Sequence, residues 1–278
     1  MSEARDAPAE KAASDLTTRF AAAVVMIAVA FVAIYLGGWV FRALVAAAAG
    51  VMMFEWGTMY RAPRWSTYAG IALLAVPTLV LPELYFPAAA GSPTPLSPDL
   101  LTPVWLCFGI VAGVALVYGV FSRRLSQGWG YAYIGIPSFA LIVIDWAWDE
   151  HVFWLMFVVW ATDIFAYFAG RGIGGPKLAP RISPNKTWAG LIGGMAGAMV
   201  VGALVGLAFE VQQPFFYLGA PLALLAQIGD LYESSVKRRL GVKDSGAILP
   251  GHGGVLDRVD GLLPVAVAVL LILMASLG

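Results

Sequence analysis

The charged residues near the carboxyl end of the sequence have the types and spacing of a metal and phosphate site. The stretch PGHGGVLDRVDG, residues 250–261, is a polar island in a chain that is 60% hydrophobic. Its proline and glycines exclude a helix before about Val255, after which Asp257 and Asp260 lie three residues apart on one helical face. Brought together with Asp230, these carboxylates would offer the hard oxygen ligands that Mg²⁺ prefers.

A basic set accompanies these carboxylates and suits phosphates or anionic lipid headgroups. Its members are Lys237, Arg238, Arg239, Lys243 and Arg258. The same charges also suit a solvated loop that rests on an anionic membrane, and this alternative stays open. His252, in the glycine turn, either donates a hydrogen bond to a ligand or only shapes the turn.

Two apolar stretches bring further carboxylates to the same region. Asp230 ends one stretch, and on a continuing helix it shares a face with Ser234 and Lys237. Asp163 interrupts the other stretch, where a carboxylate costs about 3 kcal/mol unless it faces the bundle interior, water or a partner. Asp163 is therefore either functional or a structural hydrogen-bond partner.

Between these two stretches, Ser183 followed by Pro184 predicts the start of a helix. Lys186 would then lie in the first turn, where free backbone N–H groups and an ammonium can bind an anion. Ordinary helix capping with a lysine that sets membrane topology explains the same residues, so both interpretations stay open.

The composition predicts the elements that must hold these residues. Only 12% of the 278 residues are charged, against about 25% in soluble domains, and the mean hydropathy is +0.81. Because a bilayer core takes about 20 helical residues, we predict an all-α polytopic membrane bundle of about nine transmembrane helices. The candidate spans are residues 20–36, 39–59, 65–84, 101–121, 131–146, 152–169, 188–209, 215–231 and 262–277.

The distribution of charge predicts how the bundle lies in the membrane. If residues 1–19 are a cytosolic tail, all of the 17 Lys and Arg residues except Arg42 fall on one side. The positive-inside rule therefore places the N-terminus and the candidate site on the cytosolic side. We expect about five N-terminal helices over residues 20–146 and a catalytic region over residues 147–278. The cytosolic loops of that region are residues 170–187 and 232–261.

The stretch SSVKRRLGVKDSGAILPGHGGVLDRVDG, residues 234–261, resembles the signature of the phosphatidate cytidylyltransferases, also called CDP-diacylglycerol synthases. That signature has a Ser, a Lys-Arg pair, a Lys-Asp pair after four residues, a His-Gly-Gly turn and a final Asp-Arg-hydrophobic-Asp. The resemblance continues through QIGDLYESSVKR, KLAPRISPNKTWAG and WATDIFAYFAGR, and covers about the C-terminal half. Two departures lie beside the expected nucleotide region: Ala189 replaces a Glu or Gln, and Gly175-Pro176 replaces a more basic pair.

This resemblance implies transfer of CMP from CTP to phosphatidic acid in phospholipid biosynthesis, with Mg²⁺ as cofactor. It implies catalytic roles for Asp230, Asp257 and Lys237, with Asp230, Asp257 and Asp260 at the metal. Together with the basic set, it gives the expected substrate-binding residues Ser183, Lys186, Thr187, Arg238, Lys243, His252 and Arg258.

Two alternatives remain beside this hypothesis. One is a CTP-dependent enzyme acting on another lipid, either a lipid cytidylyltransferase or a polyprenol kinase. The other is a transporter that uses Asp163 and Asp230 as coupling sites, although polar residues on one side of the bundle disfavour it. We expect a bacterial inner-membrane location among membrane lipid and no nucleic-acid partner, and the sequence leaves a homodimer open.

Overall fold

The computed structural model describes residues 24–86, 101–211, 214–249 and 253–277. These residues form a helical bundle with one small β-hairpin. The helices are α1 (Val24–Leu36), α2 (Gly38–Met59), α3 (Arg64–Leu73), α4 (Leu81–Tyr85), α5 (Leu101–Phe121), α6 (Leu125–Ala147), α7 (Asp149–Gly172), α8 (Trp188–Ala208), α9 (Phe215–Leu240), α10 (Leu256–Val259) and α11 (Leu262–Ala275). The strands are β1 (Lys177–Ala179) and β2 (Ser183–Thr187).

Among the described residues, seven helical segments are long and apolar enough to cross a membrane. One of them, Arg64–Tyr85, consists of α3, a π-helical turn at Val76–Val80 and α4. The shorter apolar helices α1 and α11 correspond to the first and last predicted spans. The all-α polytopic fold is confirmed, whereas the number nine stays a prediction. The predicted tail, residues 1–19, lies outside the described residues.

Helix α6 lies at the centre of the bundle. Its residues Tyr131, Ile134 and Phe139 are fully buried, and the helix packs against α2, α5 and α11. Apolar residues on nearly every face are expected for a helix that other helices enclose. Through α6, the N-terminal helices support α11, which follows the predicted site directly.

Helices α7, α8 and α9 pack closely because glycines line their contacts. A Cβ atom added at Gly193 of α8 would overlap Ala169 of α7, and one at Gly219 of α9 would overlap the backbone of Ala198. Small residues allow this approach, which stabilises helix pairs in membranes through packing. The close packing of these three helices therefore fixes the position of Asp163 on α7 relative to the polar residues of α9.

The segment between α7 and α8 corrects the predicted helix start at Ser183. This residue begins β2, which pairs antiparallel with β1, and α8 begins only at Trp188. Thr187 caps α8, because its Oγ1 accepts a hydrogen bond from Gly190 N at 3.0 Å. Pro184 also fits this strand, because both strands of a two-stranded hairpin are edge strands, in which some backbone N–H groups need no partner strand. Lys186 consequently lies on a strand instead of in the first turn of a helix.

Polar contacts join neighbouring segments of the chain at both ends of α2. Beyond its carboxyl end, Arg124 donates to the carbonyls of Tyr60 and Arg61 at 3.3 and 3.4 Å. Near its amino end, Arg42 pairs with Glu83 at 2.9 Å. The basic loops after α2 and α5 thus share one end of the bundle, and Arg42 lies at the other, whereas the orientation of the bundle in a membrane stays a prediction.

Candidate active site

A cavity of about 880 Å³ joins the predicted site residues to an apolar interior. Its apolar wall includes Val25 and Ile34 of α1 and Phe41 of α2. Its charged wall consists of Asp163, Asp230, Lys237, Asp244, Asp257, Arg258 and Asp260. The cavity is therefore polar at one part of its surface and hydrocarbon-like at another, which suits a ligand with the same division.

Helix α9 carries the first group of polar residues, and it continues to Leu240 as the shared face of Asp230 and Ser234 requires. Ser234 Oγ donates to Asp230 Oδ1 at 3.2 Å. Lys186 reaches over from β2, forms an ion pair with Asp230 and donates to Gln227 Oε1 at 2.9 Å. The hairpin therefore delivers its ammonium group to the carboxylate of α9.

Lys237, one turn from the end of α9, contacts two carboxylates. Its Nζ lies 2.6 Å from Glu233 Oε2 and 2.6 Å from Asp257 Oδ1. Glu233 is fully buried, and Asp257 comes from the short helix α10. Lys237 therefore neutralises a buried acid on its own helix and also holds α10 against α9.

Asp257 is held by backbone N–H groups as well as by Lys237. Ser245 N donates to both of its carboxylate oxygens, at 3.1 and 2.9 Å, and Gly254 N donates to Oδ2 at 2.8 Å. Burial alone would raise the pKa of Asp257, but Lys237 and these N–H groups hold that pKa below its ordinary value. Gly253 has a φ of +81°, so the turn next to Asp257 needs a glycine.

Asp260 is in the opposite electrostatic situation. Its Oδ1 accepts only a local hydrogen bond, from Gly261 N at 2.7 Å, among the contacts described. Burial, and then the charges of Asp230 and Glu233, raise the pKa of Asp260 well above its ordinary value. The carboxylates on this side of the cavity are therefore close enough to repel one another, and a cation would relieve that repulsion.

The hairpin and α9 contribute three more of the predicted substrate-binding residues. Ser183 begins β2, and Thr187 ends it as the buried cap of α8. Arg238 Nε donates to the carbonyl of Ile182 at 3.3 Å, so this arginine links α9 to the hairpin. These residues belong to the two elements that supply the Lys186–Asp230 pair, although none of them lines the cavity wall described above.

The loop between α9 and α10 carries the remaining predicted residues. Lys243 is exposed, two residues beyond Gly241, which ends α9 in a left-handed conformation. Arg258 lies on α10 and lines the cavity. His252 lies outside the described residues, so its role stays a prediction.

Sequence reasoning missed three polar residues that the structure places at the site. Gln227 and Glu233 lie on α9 beside Asp230, and Glu55 of α2 contacts the loop that holds Asp257. A carboxylate inside an apolar span is the signal that the sequence carries for Glu55, as it does for Asp163. The pairing of Glu233 with Lys237 follows helical i, i+4 spacing.

The predicted metal ligands line the same cavity but engage different partners. Asp230 pairs with Lys186, whereas Asp257 pairs with Lys237. Within the described ranges, no three acidic, His or Cys side chains are close enough together to hold a metal ion. The assignment of Asp230, Asp257 and Asp260 to one metal site therefore stays a prediction.

The chain matches one protein family over nearly its whole length. The sequence profile of the Cytidylyltransferase family matches residues 17–276. A protein of Brucella abortus named phosphatidate cytidylyltransferase is 40% identical over 277 residues, which cover 95% of this chain and 94% of that protein. A Bacillus subtilis protein of the same name is 47% identical over 116 residues, covering 41% of this chain and 43% of its own length. The chain therefore belongs to the cytidylyltransferase family.

Proposed function

We propose that the chain transfers CMP from CTP to phosphatidic acid, which gives CDP-diacylglycerol and pyrophosphate. The observation that carries this proposal is the two-part cavity, whose charged wall adjoins an apolar wall between α1, α2 and α7. Phosphatidic acid has the same division, with a phosphate at one end and acyl chains at the other. The Brucella abortus relative, matched along almost the whole chain, carries the name of this activity.

The reaction asks little of a general base. The second pKa of a phosphate monoester is about 6, so phosphatidic acid is largely a dianion at neutral pH. One of its phosphate oxygens bonds to the α-phosphorus of CTP, the bond to the β-phosphate breaks, and pyrophosphate leaves with the electron pair. This fits a site rich in Lys, Arg and Asp.

The main obstacle is the repulsion between two anionic reactants, and the cations of the site oppose it. Lys237 and Arg258 line the cavity, and Lys186 forms an ion pair with Asp230, which is part of the cavity wall. Fixed positive charges in a site shielded from water stabilise negative charge that develops on the leaving group. Phosphates that enter the cavity would compete with Asp230 for Lys186 and draw this lysine toward the nucleotide.

The donor chemistry of the site also fits Mg²⁺. Asp230, Asp257 and Asp260 supply carboxylate oxygens along one cavity. Burial, together with the nearby charges of Asp230 and Glu233, raises the pKa of Asp260, and a cation beside this carboxylate would offset both effects. We propose that Asp230 and Asp260 hold the ion, while Lys237, Ser245 N and Gly254 N occupy the two oxygens of Asp257 in this structure. A bound Mg²⁺ supplies positive charge to the phosphates of the nucleotide.

The proposed reaction also bears on which membrane holds the protein and on which side the site faces. We propose a bacterial inner membrane, with the N-terminus and the loops at 170–187 and 232–261 in the cytosol, where CTP is available. The bacterial origin of the relatives and the shared end of the basic loops support this arrangement. The homodimer that the sequence leaves open stays a prediction.

The test is turnover by the purified protein in detergent, with labelled CTP, phosphatidic acid and Mg²⁺, scored for a lipid that carries CMP. We expect Asp230→Asn and Asp257→Asn each to reduce turnover on the order of 100- to 1,000-fold, since each removes a charge from the reacting centre. Asp149→Asn is the matched control, because Asp149 is exposed at the end of α7 that lies away from the hairpin.

Substrate choice and reaction class are tested in the same preparation. Replacing phosphatidic acid with a polyprenol or with another lipid phosphate should abolish the labelled product. A preference for either substitute would reassign the lipid. Accumulation of a labelled anion in vesicles without consumption of CTP would instead favour a transporter and contradict the proposal.

A further inference from the structure

Glu55 is a buried carboxylate that the proposed reaction does not use. It lies one turn before the end of α2 and is 1% exposed. It is absent from the cavity wall, so it does not face the space that the substrates would occupy. A buried carboxylate in a membrane helix is costly unless donors satisfy it, which makes its partners informative.

All the described hydrogen-bond partners of Glu55 belong to the loop and helix that carry Asp257. Val255 N donates to Glu55 Oε1 at 2.9 Å, and Leu256 N donates to Oε2 at 2.9 Å. Ser245 Oγ donates to Oε2 at 3.1 Å. The carboxylate therefore binds both the segment before the glycine turn and the start of α10 after it.

We call these three hydrogen bonds to Glu55 the clamp, and Ser245 connects the clamp directly to Asp257. While its hydroxyl donates to Glu55, its backbone N–H donates to both oxygens of Asp257. Leu256, whose N–H also binds Glu55, is the residue immediately before Asp257. A displacement of the Glu55 carboxylate would thus move two groups that set the position of Asp257.

Two glycines of the loop are explained by the same contact. A Cβ added at Gly246 would lie 2.8 Å from Glu55 Oε1, and one at Gly254 would lie 2.7 Å from each oxygen of Glu55. Real Cβ atoms do not approach oxygen so closely, so only glycine permits the backbone to reach the carboxylate at these positions. The loop is shaped around Glu55 on both sides of the turn.

We infer that Glu55 is a positioning residue, which holds Ser245, Val255 and Leu256 so that Asp257 meets Lys237 in the arrangement needed for turnover. The inference rests on the proposed function for its kinetic consequence, but not for its structural one. It also gives the N-terminal half of the chain a part in the reaction, because the clamp joins α2 to a loop some 200 residues later in the sequence.

The experiment compares Glu55→Gln with wild-type protein in detergent. The amide keeps one acceptor oxygen but places an NH₂ group among N–H and O–H donors, so at least one hydrogen bond is lost. We expect kcat to fall about 10- to 100-fold, the usual cost of losing an outer support of a site. The KM for phosphatidic acid should change less than threefold, because the apolar wall that would hold the acyl chains is untouched. Asp149→Asn, which removes an exposed carboxylate at the other end of the bundle, should keep wild-type kinetics.

A second readout does not depend on the reaction. Hydrogen exchange measured by mass spectrometry should accelerate about tenfold or more in peptides that cover residues 245–256 of Glu55→Gln, and should stay unchanged in α5 and α6. Wild-type exchange in the loop together with wild-type kcat would overturn the inference. Faster exchange in every helix would also overturn it, because it would show that Glu55 supports the whole bundle and not the loop.

Ser245→Ala removes one donor and leaves the two backbone contacts, so it should show a smaller loss of kcat in the same direction. If Glu55→Gln fails to fold, this second variant decides, and wild-type kcat in Ser245→Ala then rejects the inference. If the wild-type protein makes no CMP-bearing lipid at all, the proposed function fails, while the exchange measurement still tests the clamp.

Discussion

Lys237 contacts two carboxylates that come from different parts of the chain. Glu233 is its neighbour on α9, while Asp257 arrives from α10 after the glycine turn. Removing one member of a buried charge group usually costs more than the group contributes as a whole, because the remaining charge stays without a partner. Lys237 should therefore matter for stability as well as for turnover.

We predict that Lys237→Ala destabilises the protein by about 3–5 kcal/mol and that adding Glu233→Gln recovers part of this loss. The second change removes the fully buried charge that the first leaves unpaired. Thermal or denaturant unfolding in detergent measures both effects. Lys177→Ala, which removes an exposed lysine of β1, is the control and should stay within about 0.5 kcal/mol of wild type. A double variant no more stable than Lys237→Ala would contradict this account.

At the scale of elements, the site depends on how closely α9 approaches the segment that joins α10 to α11. Gly229, next to Asp230, makes this approach possible. A Cβ at this position would lie 2.5 Å from the carbonyl oxygen of Asp260 and 2.7 Å from the ring of Pro264. Because backbone cannot move aside as a flexible side chain does, any larger residue must push the two segments apart.

Gly229→Ala should therefore lower stability by about 1–3 kcal/mol, the usual cost of overpacking, and should reduce turnover by separating Asp230 from Asp260. Gly113→Ala in α5 is the matched control. A Cβ at Gly113 would meet nothing within 4 Å, so this variant should be neutral or slightly stabilised. Unfolding and CTP turnover of the two variants check the prediction, and equal behaviour of the pair would refute it.

The sequence predicts most helices at this scale because each membrane span is a run of about 20 mostly apolar residues. The spans at 101–121 and 188–209 match α5 and α8 to within one residue. The continuation of α9 past Asp230 and the restart of helix near Val255 also follow from local signals, since helical spacing and a glycine-rich turn need no distant partner.

Long-range contacts explain what the sequence could not predict. Ser183 and Pro184 have the same local signals in a helix start and in a strand, and only pairing with β1 selects the strand. Nothing near Glu55 in the sequence points to Ser245, because 190 residues separate them. The partners of a buried carboxylate are decided by the fold, so hydropathy identifies the residue but not its role.

At the scale of the whole molecule, the N-terminal helices help to build the candidate site. α1 and α2 line the cavity, and α2 also supplies Glu55, while α6 packs against both α2 and α11. The expected catalytic region after residue 147 thus contains most of the charged site but only part of its surroundings. An amphiphilic cavity of this kind works only if its charged wall faces the compartment that holds the nucleotide.

The orientation of the bundle is therefore the last prediction, and the two ends of α6 can test it. In a Cys107→Ser background, which removes the single native thiol, Arg123→Cys and Asp149→Cys place exposed thiols just before and just after this helix. We expect a membrane-impermeant maleimide to label Asp149→Cys in cells whose outer membrane alone is permeabilised, and to label Arg123→Cys only after the inner membrane is opened. This follows because the basic loops should stay on the cytosolic side.

Labelling of both thiols after complete lysis controls for reactivity. The reverse pattern would place Asp230 and Asp257 away from cytosolic CTP, and the proposed reaction could not then proceed at this site.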